Sequence, residues 1–541
     1  MTWYPNLAND ATTTRAFLNG RIYTTDEART WVDAIVVEAG VITFAGSSSV
    51  ARAIVGDAAD TIDLGGRMVL PGLHDAHVHL LFSGRKYRRE TRLTPGASRD
   101  VLLNELVQAN PPGLIDDRGN DWIIAGEYTP DRMGHEGLTV EILDELFPDR
   151  PIFVHDYSLH GGVANSKALA LAGLDTTTEQ PMQGSIVRDR HTGALTGQLV
   201  EKAKWPLMRA IPSYGLESDV EAVQWALDVC HQFGITSLQE ASATPAALDA
   251  LRAIDRAGDL RMHVAAHLVW LDEGIGMTSQ EKLDDTIARR SEWQSPKLDT
   301  QRVKVWLDGA PLPPHMTEAG LSRDGTVETH KLHVTPEVLT AGLQQFDSDG
   351  LSVKIHCAGA GAVRVALDAI EQVRSLHPKS EVVHEIAHCT TVHQDDLARF
   401  AQLRVTAEMS PAIWHDPRFG LQSAYRFRSL ANWGVTMVYG SDWKITKAPN
   451  PFPGLQGMLQ HGDESLSLPE AIELLTINGA RQVGREATHG SLEVGKSADF
   501  VVLDRNIFEV DISEVGATKV CATYIDGESV YFAPELHDGP L

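Results

Sequence analysis

The chain of 541 residues carries 47 Lys+Arg against 73 Asp+Glu, a formal net charge of −26, with 43% hydrophobic and 22% charged residues. That acidic balance repels a nucleic-acid backbone, and no run approaches the ~20 unbroken apolar residues that span a bilayer. Four scattered cysteines (Cys230, Cys357, Cys389, Cys521) without Cys-x-x-Cys spacing argue against a disulfide scaffold or zinc knuckle, and Met-Thr-Trp-Tyr-Pro-Asn shows no secretory pattern, so a cytoplasmic protein is expected.

In chain order, residues 15–70 read as short strands and turns. Ala16–Tyr23 reads as a strand pair around Asn19-Gly20, and Ala34–Phe44 as a hairpin turning at Ala39-Gly40. The last sixty residues repeat the style, with a strand at Asp499–Leu503 and a hairpin around Asp526-Gly527. Neither end can close a stable sheet alone. A composite β-sandwich of 1–70 with 485–541 is therefore expected.

Between the ends, eight apolar runs close on polar residues: Val69–His79, Ile235–Glu240, Met262–Leu268, Val303–Asp308, Val353–His356, Val383–His388, Val405–Glu408 and Thr436–Asp442. Helical segments such as Gly361–Val373 and Thr391–Leu403 follow them. This succession predicts an α/β protein, a (β/α)8 TIM-like barrel over 71–484 with catalytic groups at the C-terminal strand ends. The gap from His79 to Ile235 predicts an insertion over about 85–215, with strands of its own at Trp122–Gly126 and Ile152–His155.

The chemistry starts at Leu70-Pro71-Gly72-Leu73-His74-Asp75-Ala76-His77-Val78-His79. His77 and His79 are two apart on a strand, so both imidazoles project from one face and can chelate zinc or a similar divalent ion. His-x-His alone is weak. His356, His388 and Asp442 also close predicted strands, and a barrel brings all five to one mouth. Lys304, flanked by Val303, Val305 and Trp306, would be costly as a free buried ammonium. It reads either as an ion pair with Asp308 on the same strand face or as a carbamate formed with CO2. Glu240 ends the second strand and could reach the site. His155, His267, His384, His393 and His415 lack a ligand pattern and read as structural, and Cys357 and Cys389 as small buried hydrophobes.

With these residues in place, the chain resembles the amidohydrolase superfamily, in the large amidohydrolase-3 branch that includes N-substituted formamide deformylase. The resemblance runs from about 15 to 532. It rests on Pro71–His79, His160 with Asn165-Ser166-Lys167-Ala168-Leu169, and Gly234-Ile235-Thr236-Ser237. It continues through Val303-Lys304 with Asp308-Gly309, His356, His388, Gly440-Ser441-Asp442-Trp443 and Gly490–Asp499. It implies one metal at His77, His79 and Asp442, and a carboxylated Lys304 bridging to a second at His356 and His388. It also puts His160 near the substrate; Asp308 is a further candidate contact, and Trp443, next to Asp442, is either pocket wall or core packing. Two family features are missing: the Gly-Asp expected after the strand-five histidine is replaced by Cys357–Gly361, and Ala387 stands where Glu usually precedes the strand-six histidine.

The implied function is hydrolysis of a C–N bond (amide, N-formyl or N-acyl) by metal-activated water, with Asp442 as general base and one or two ions, zinc expected, per chain. The alternative is a metal-dependent decarboxylase, C–C lyase or cyclase on the same barrel, which the two lost carboxylates favour. A non-catalytic scaffold is a third reading, opposed by retention of all six ligand positions. Expected partners are a small-molecule substrate and a second copy in a homodimer, with no nucleic acid or membrane. The loops Pro311-Leu312-Pro313-Pro314-His315 and Trp414-His415-Asp416-Pro417 suggest an apolar or aromatic substrate.

Overall fold

The computed structural model describes residues 14–56, 60–108, 114–129, 137–272, 274, 277–312, 315–414, 421 and 424–534. They fall into two compact units, one drawn from Met1–Asp75, Asp228–Leu238 and Asn450–Leu541, the other from Ala76–Leu227 and Gln239–Pro449. Among the described residues no helix is long and apolar enough to cross a membrane.

The first unit holds two sheets. A four-stranded sheet contains Thr14–Leu18, Ala34–Glu38, Val41–Gly46 and Asp60–Asp63. A six-stranded sheet joins Arg21–Tyr23, Trp31–Val32 and Met68–Pro71 to Phe500–Leu503, Val520–Ile525 and Glu528–Phe532. The seam between the chain ends is antiparallel, with Val501 opposite Leu70 and Val502 opposite Val69. Its core is aromatic: Phe17 meets Phe500 edge-on at 4.8 Å, and Phe500 stacks on Tyr524 at 4.5 Å. Such pairs add about 0.5–1.5 kcal/mol beyond the area they bury.

Two sequence expectations are corrected here. Asn19-Gly20 does not turn a hairpin, because Thr14–Leu18 and Arg21–Tyr23 belong to different sheets. Asn19, at φ 56°, carries the chain from one sheet to the other. The run Val69–His79 is likewise two strands, one in each kind of sheet. They divide at Gly72, where a Cβ would lie 2.1 Å from Thr236 Oγ1. The hairpins at Ala39-Gly40 and Asp526-Gly527 form as expected, with positive φ at all four residues.

An eight-stranded parallel sheet forms the barrel: β1 Leu73–Val78, β2 Ile235–Ala243, β3 His263–Val269, β4 Leu298–Trp306, β5 Ser352–Cys357, β6 Glu385–His388, β7 Thr406–Met409 and β8 Met437–Tyr439. The strands neighbour one another in this order, and the bridge from Val78 to Trp443 closes β8 onto β1. Crossover helices begin where Thr-Pro pairs dictate. Thr244 and Thr335 cap the helices Pro245–Ala257 and Pro336–Ser348, each with proline in the first turn. Between β1 and β2 a mixed sheet spans residues 91–201, and its strands Ile152–Asp156, Gly161–Ala164 and Leu195–Glu201 lie side by side.

The seam between the chain ends predicts that neither end folds alone. Truncation after Arg485 removes three of the six strands and bares the edge of Met68–Pro71. The truncated protein should be insoluble or aggregated by size-exclusion chromatography; a soluble, monodisperse product would contradict the shared sheet.

Candidate metal centre

The mouth of the barrel is built from strand ends. His77 lies in β1 and His79 one residue beyond it, so both rings face the same side. The backbone N–H of Asp442, just past β8, donates to the His77 carbonyl at 2.8 Å. Asp442 has φ 49°, a left-handed conformation that Asp tolerates better than most residues. It brings Oδ1 to 3.2 Å from His79 Nε2 and 4.0 Å from His77 Nε2. The other nitrogens are committed: His77 Nδ1 pairs with Glu408, and His79 Nδ1 lies 2.6 Å from Ser242 Oγ. Such partners fix the tautomer and aim the opposite nitrogen.

His388 ends β6 at φ 69°, followed by Cys389 at φ 47°. Consecutive left-handed residues cost ~1–2 kcal/mol each, so the turn holds the ring against a backbone preference. His388 Nδ1 is 3.1 Å from Ser410 Oγ. Its ring centroid lies 4.4 Å from that of His356 on β5 and 4.6 Å from that of His77. His356 Nε2 faces the Gly309 carbonyl at 2.9 Å, which leaves Nδ1 as the nitrogen that could ligate a metal. Burial, followed by the neighbouring Lys304 ammonium, holds His77 and His356 far below the usual imidazole range; burial, His356 and Lys304 do the same to His388. All three rings are neutral, the form that binds metal.

Lys304 on β4 is fully buried, and its Nζ has no hydrogen-bond partner among the described residues. It sits 4.9 Å from the Trp306 ring centroid. Burial and then Lys354 push its pKa down to about 7, against Glu408, Asp442 and Glu385. The ion pair with Asp308 does not form. Asp308 instead accepts backbone N–H bonds from Ala358 (2.9 Å), Gly359 (2.8 Å) and Ala319 (3.0 Å), fixing the loop after β5. Its own pKa is pushed up to about 7 by burial, against those bonds.

A buried polar group absent from the sequence expectations surrounds the site. Lys354 Nζ donates to the Ala76 carbonyl and lies 3.4 Å from Glu385 and 4.0 Å from Glu408. Glu385 is 3.8 Å from His267, whose Nε2 also meets Gln239 at 2.9 Å. Lys354 could have been found by alternation, since it precedes His356 by two on the same strand face. Glu408 closed a recognised run but received no role. Glu240 supports β1: it accepts from Leu80 N at 2.6 Å and from Ser242 N at 2.9 Å, which positions the hydroxyl that holds His79.

The histidines at the barrel mouth border a cavity of about 220 Å³. His77, His79, His356, His388, Asp442, His160 and Asp308 all border it. His160 Nδ1 pairs with Glu201 at 2.8 Å, and Glu201 also accepts from Thr317 at 2.6 Å. Burial alone would lower the His160 pKa, but Glu201 raises it above the ordinary value. Trp443 is not among the residues that border this cavity, in keeping with the core-packing alternative. It is buried, and its carbonyl accepts from Ser83 at 2.6 Å and from His79 N at 3.3 Å. His155, expected to be structural, does border the cavity. Cys357 and Cys389 are buried, as expected. Pro313, Pro314, His415, Asp416 and Pro417 lie outside the described residues.

The amidohydrolase family profile matches residues 60–531. The chain belongs to the amidohydrolase family. It is 27% identical to N-substituted formamide deformylase of Arthrobacter pascens, over 94% of this chain and 97% of that protein. It is 26% identical to Protein LONG AFTER FAR-RED 3 of Arabidopsis thaliana, over 95% and 91%. The crystal structure of an uncharacterized metal-dependent hydrolase from Pyrococcus furiosus superposes with a TM-score of 0.70 at 25% identity, over 91% of this chain and 99% of that one.

The donor set of this amidohydrolase fits a divalent ion. Among the described residues, His77, His79 and Asp442 bring one ligand atom each within 4.8 Å of one another, and so do His77, His388 and Glu408. The first grouping is chemically better, because the Nδ1 of His77 cannot both hydrogen-bond Glu408 and ligate a metal. Glu408 therefore acts through His77. Glu408→Gln should weaken metal binding about 10–100-fold in a chelator competition; unchanged affinity would show that the pairing with His77 does not tune the site.

Proposed function

We propose that the protein is a zinc-type metal-dependent hydrolase that cleaves the C–N bond of a small amide, N-formyl or N-acyl compound. The observation that carries this reading is the single carboxylate of Asp442, which faces His77 Nε2 and His79 Nε2 together. The name of the Arthrobacter relative supports the bond type.

In this reading His77, His79 and Asp442 would hold one ion, and His356 and His388 a second, with Lys304 serving both. Divalent ions held there would polarise the substrate carbonyl and lower the pKa of a water. Asp442 takes the proton released as the water oxygen bonds to the carbonyl carbon. It returns that proton to the nitrogen as the C–N bond breaks, giving a carboxylic acid and an amine, between which the acid proton then passes to leave carboxylate and ammonium. His160, with Nδ1 held by Glu201, keeps Nε2 for a polar atom of the substrate. Asp308 acts on substrate through the loop it fixes. A cytoplasmic location and a homodimer belong to the same proposal.

The bridge needs an anion where the chain places an amine. Buried, without a hydrogen-bond partner and with a pKa near neutrality, Lys304 is suited to add CO2, forming an N–C bond and releasing one proton. The carbamate adds the negative charge that two divalent ions require, where an ammonium would oppose them.

Asp442→Asn should lower turnover of a formamide or acyl-amine panel by about 10²–10⁴-fold while the fold persists by circular dichroism. A loss of less than a few-fold assigns the base elsewhere. Metal-free protein reconstituted with bicarbonate should take up two ions per chain by elemental analysis, and fewer without it. Equal uptake in both, or normal uptake by Lys304→Ala, would exclude the carbamate.

A further inference from the structure

Three neighbouring strands of the mixed sheet bring their ends together. Asp156 closes Ile152–Asp156, Glu201 closes Leu195–Glu201, and His160 stands just before Gly161–Ala164, which lies between them. His160 and Glu201 both border the cavity. Glu201 is held at φ 49° and ψ −129°, a conformation that only glycine adopts readily. Strain of that kind persists where the surroundings over-determine the place of a residue. Glu201 N donates to the His160 carbonyl at 2.8 Å, and Glu201 Oε1 accepts from His160 Nδ1 at 2.8 Å. Backbone and side chain of one glutamate therefore hold one histidine.

The loop that follows β4 reaches the same strand ends. It is closed on itself through Thr317: Thr317 N donates to the Ala310 carbonyl at 3.0 Å, and Ala310 N donates to Thr317 Oγ1 at 3.1 Å. The Thr317 hydroxyl in turn donates to Glu201 Oε1 at 2.6 Å, the oxygen that also accepts from His160. A second line runs to the His160 backbone. His315 Nε2 lies 2.8 Å from Asp156 Oδ2, Asp156 Oδ1 accepts from the Ser158 hydroxyl at 2.6 Å, and Ser158 Oγ accepts from His160 N at 3.2 Å. No side chain would fit between loop and sheet. A Cβ at Gly309 would lie 2.0 Å from Thr317 Oγ1 and 3.0 Å from Glu201 Oε1, and one at Gly161 would lie 2.5 Å from both Asp156 Oδ2 and His315 Nε2. The loop starts at Gly309, whose carbonyl accepts from His356 Nε2.

We propose that Thr317 is a positioning residue: its hydroxyl fixes the Glu201 carboxylate, and through it the direction in which His160 presents Nε2 to the substrate. The part His160 plays with substrate rests on the hydrolase reading, whereas the hold on its ring rests on the contacts alone. A hydroxyl is required, not merely its volume, because Glu201 Oε1 would otherwise be tied to His160 only and both could swing together. Serine keeps the donor and the acceptor at this position; valine, of nearly the same shape, keeps neither.

The test compares Thr317→Val and Thr317→Ser in the full-length, zinc-loaded protein, with the member of a formamide and acyl-amine panel that the unsubstituted protein hydrolyses fastest. Thr317→Val should lower kcat/KM by about tenfold or more, the scale of a hydrogen bond to a charged group. Zinc content by elemental analysis should not change, and Thr317→Ser should restore most of the rate. Combined with His160→Ala, Thr317→Val should cost little more, because residues that act through one contact are not additive. Losses that multiply in the double variant, or a serine variant no better than the valine one, overturn the assignment. Zinc lost along with activity also overturns it, by placing the effect at the metal ligands. Thr317→Ala, which deletes the hydroxyl without replacing it, carries the same comparison if the valine variant does not fold. Crystals of Thr317→Val should show the His160 ring turned from its place against Glu201, and an unmoved ring overturns the proposal whatever the turnover. A turned ring in a protein whose unsubstituted form hydrolyses no member of the panel supports the positioning and contradicts the hydrolase reading.

Discussion

The hydrogen bond from Asp442 N to the His77 carbonyl ties the last strand of the barrel to the first. The candidate centre depends on that closure, because His77 and His79 hang from one side of the seam and the Asp442 carboxylate from the other. A parallel sheet left open there would hold the two imidazoles at one edge and the carboxylate at the far edge. The left-handed conformation of Asp442 lets its backbone make the closing bond while its side chain turns toward the histidines. The bridge between Val78 and Trp443 continues the seam, which accounts for a buried tryptophan there.

Around this seam the barrel interior carries an unusual load of buried charge. Lys304, Lys354, Glu385 and Glu408 are all fully enclosed, and each would be expensive alone. They offset one another in part: Lys354 lies between two carboxylates, and Glu408 also pairs with His77 Nδ1. Lys304 is the exception, with an aromatic face beside it and no hydrogen-bond partner among the described residues. A core selected for stability alone would place an apolar residue there. A buried amine in that position is understandable if its nitrogen is to be modified and shared with a cation.

Much of this was legible in the sequence. Barrel strands are buried on both faces, so they read as near-continuous apolar runs, and their terminal polar residues mark the mouth. The His77–His79 pair followed from alternation alone. What was lost has physical reasons. Asn19-Gly20 signals a reversal, but the same backbone serves a hairpin or a transfer between sheets, and only distant partners choose. The run Val69–His79 hides a break at Gly72 because apolarity does not say which sheet a strand joins. Lys354 and Glu385 were passed over because charges within apolar runs are read as noise until the barrel sets them side by side.

The central claim is that side chains from the ends of separate strands enclose a divalent ion. Anomalous diffraction from crystals of the protein grown with zinc, recorded on both sides of the zinc absorption edge, tests it most directly. A peak bounded by His77 Nε2, His79 Nε2 and an Asp442 oxygen is the predicted result, with a second peak bounded by His356 and His388 if Lys304 bridges. Well-ordered side chains at these positions with no anomalous peak among them would contradict the account.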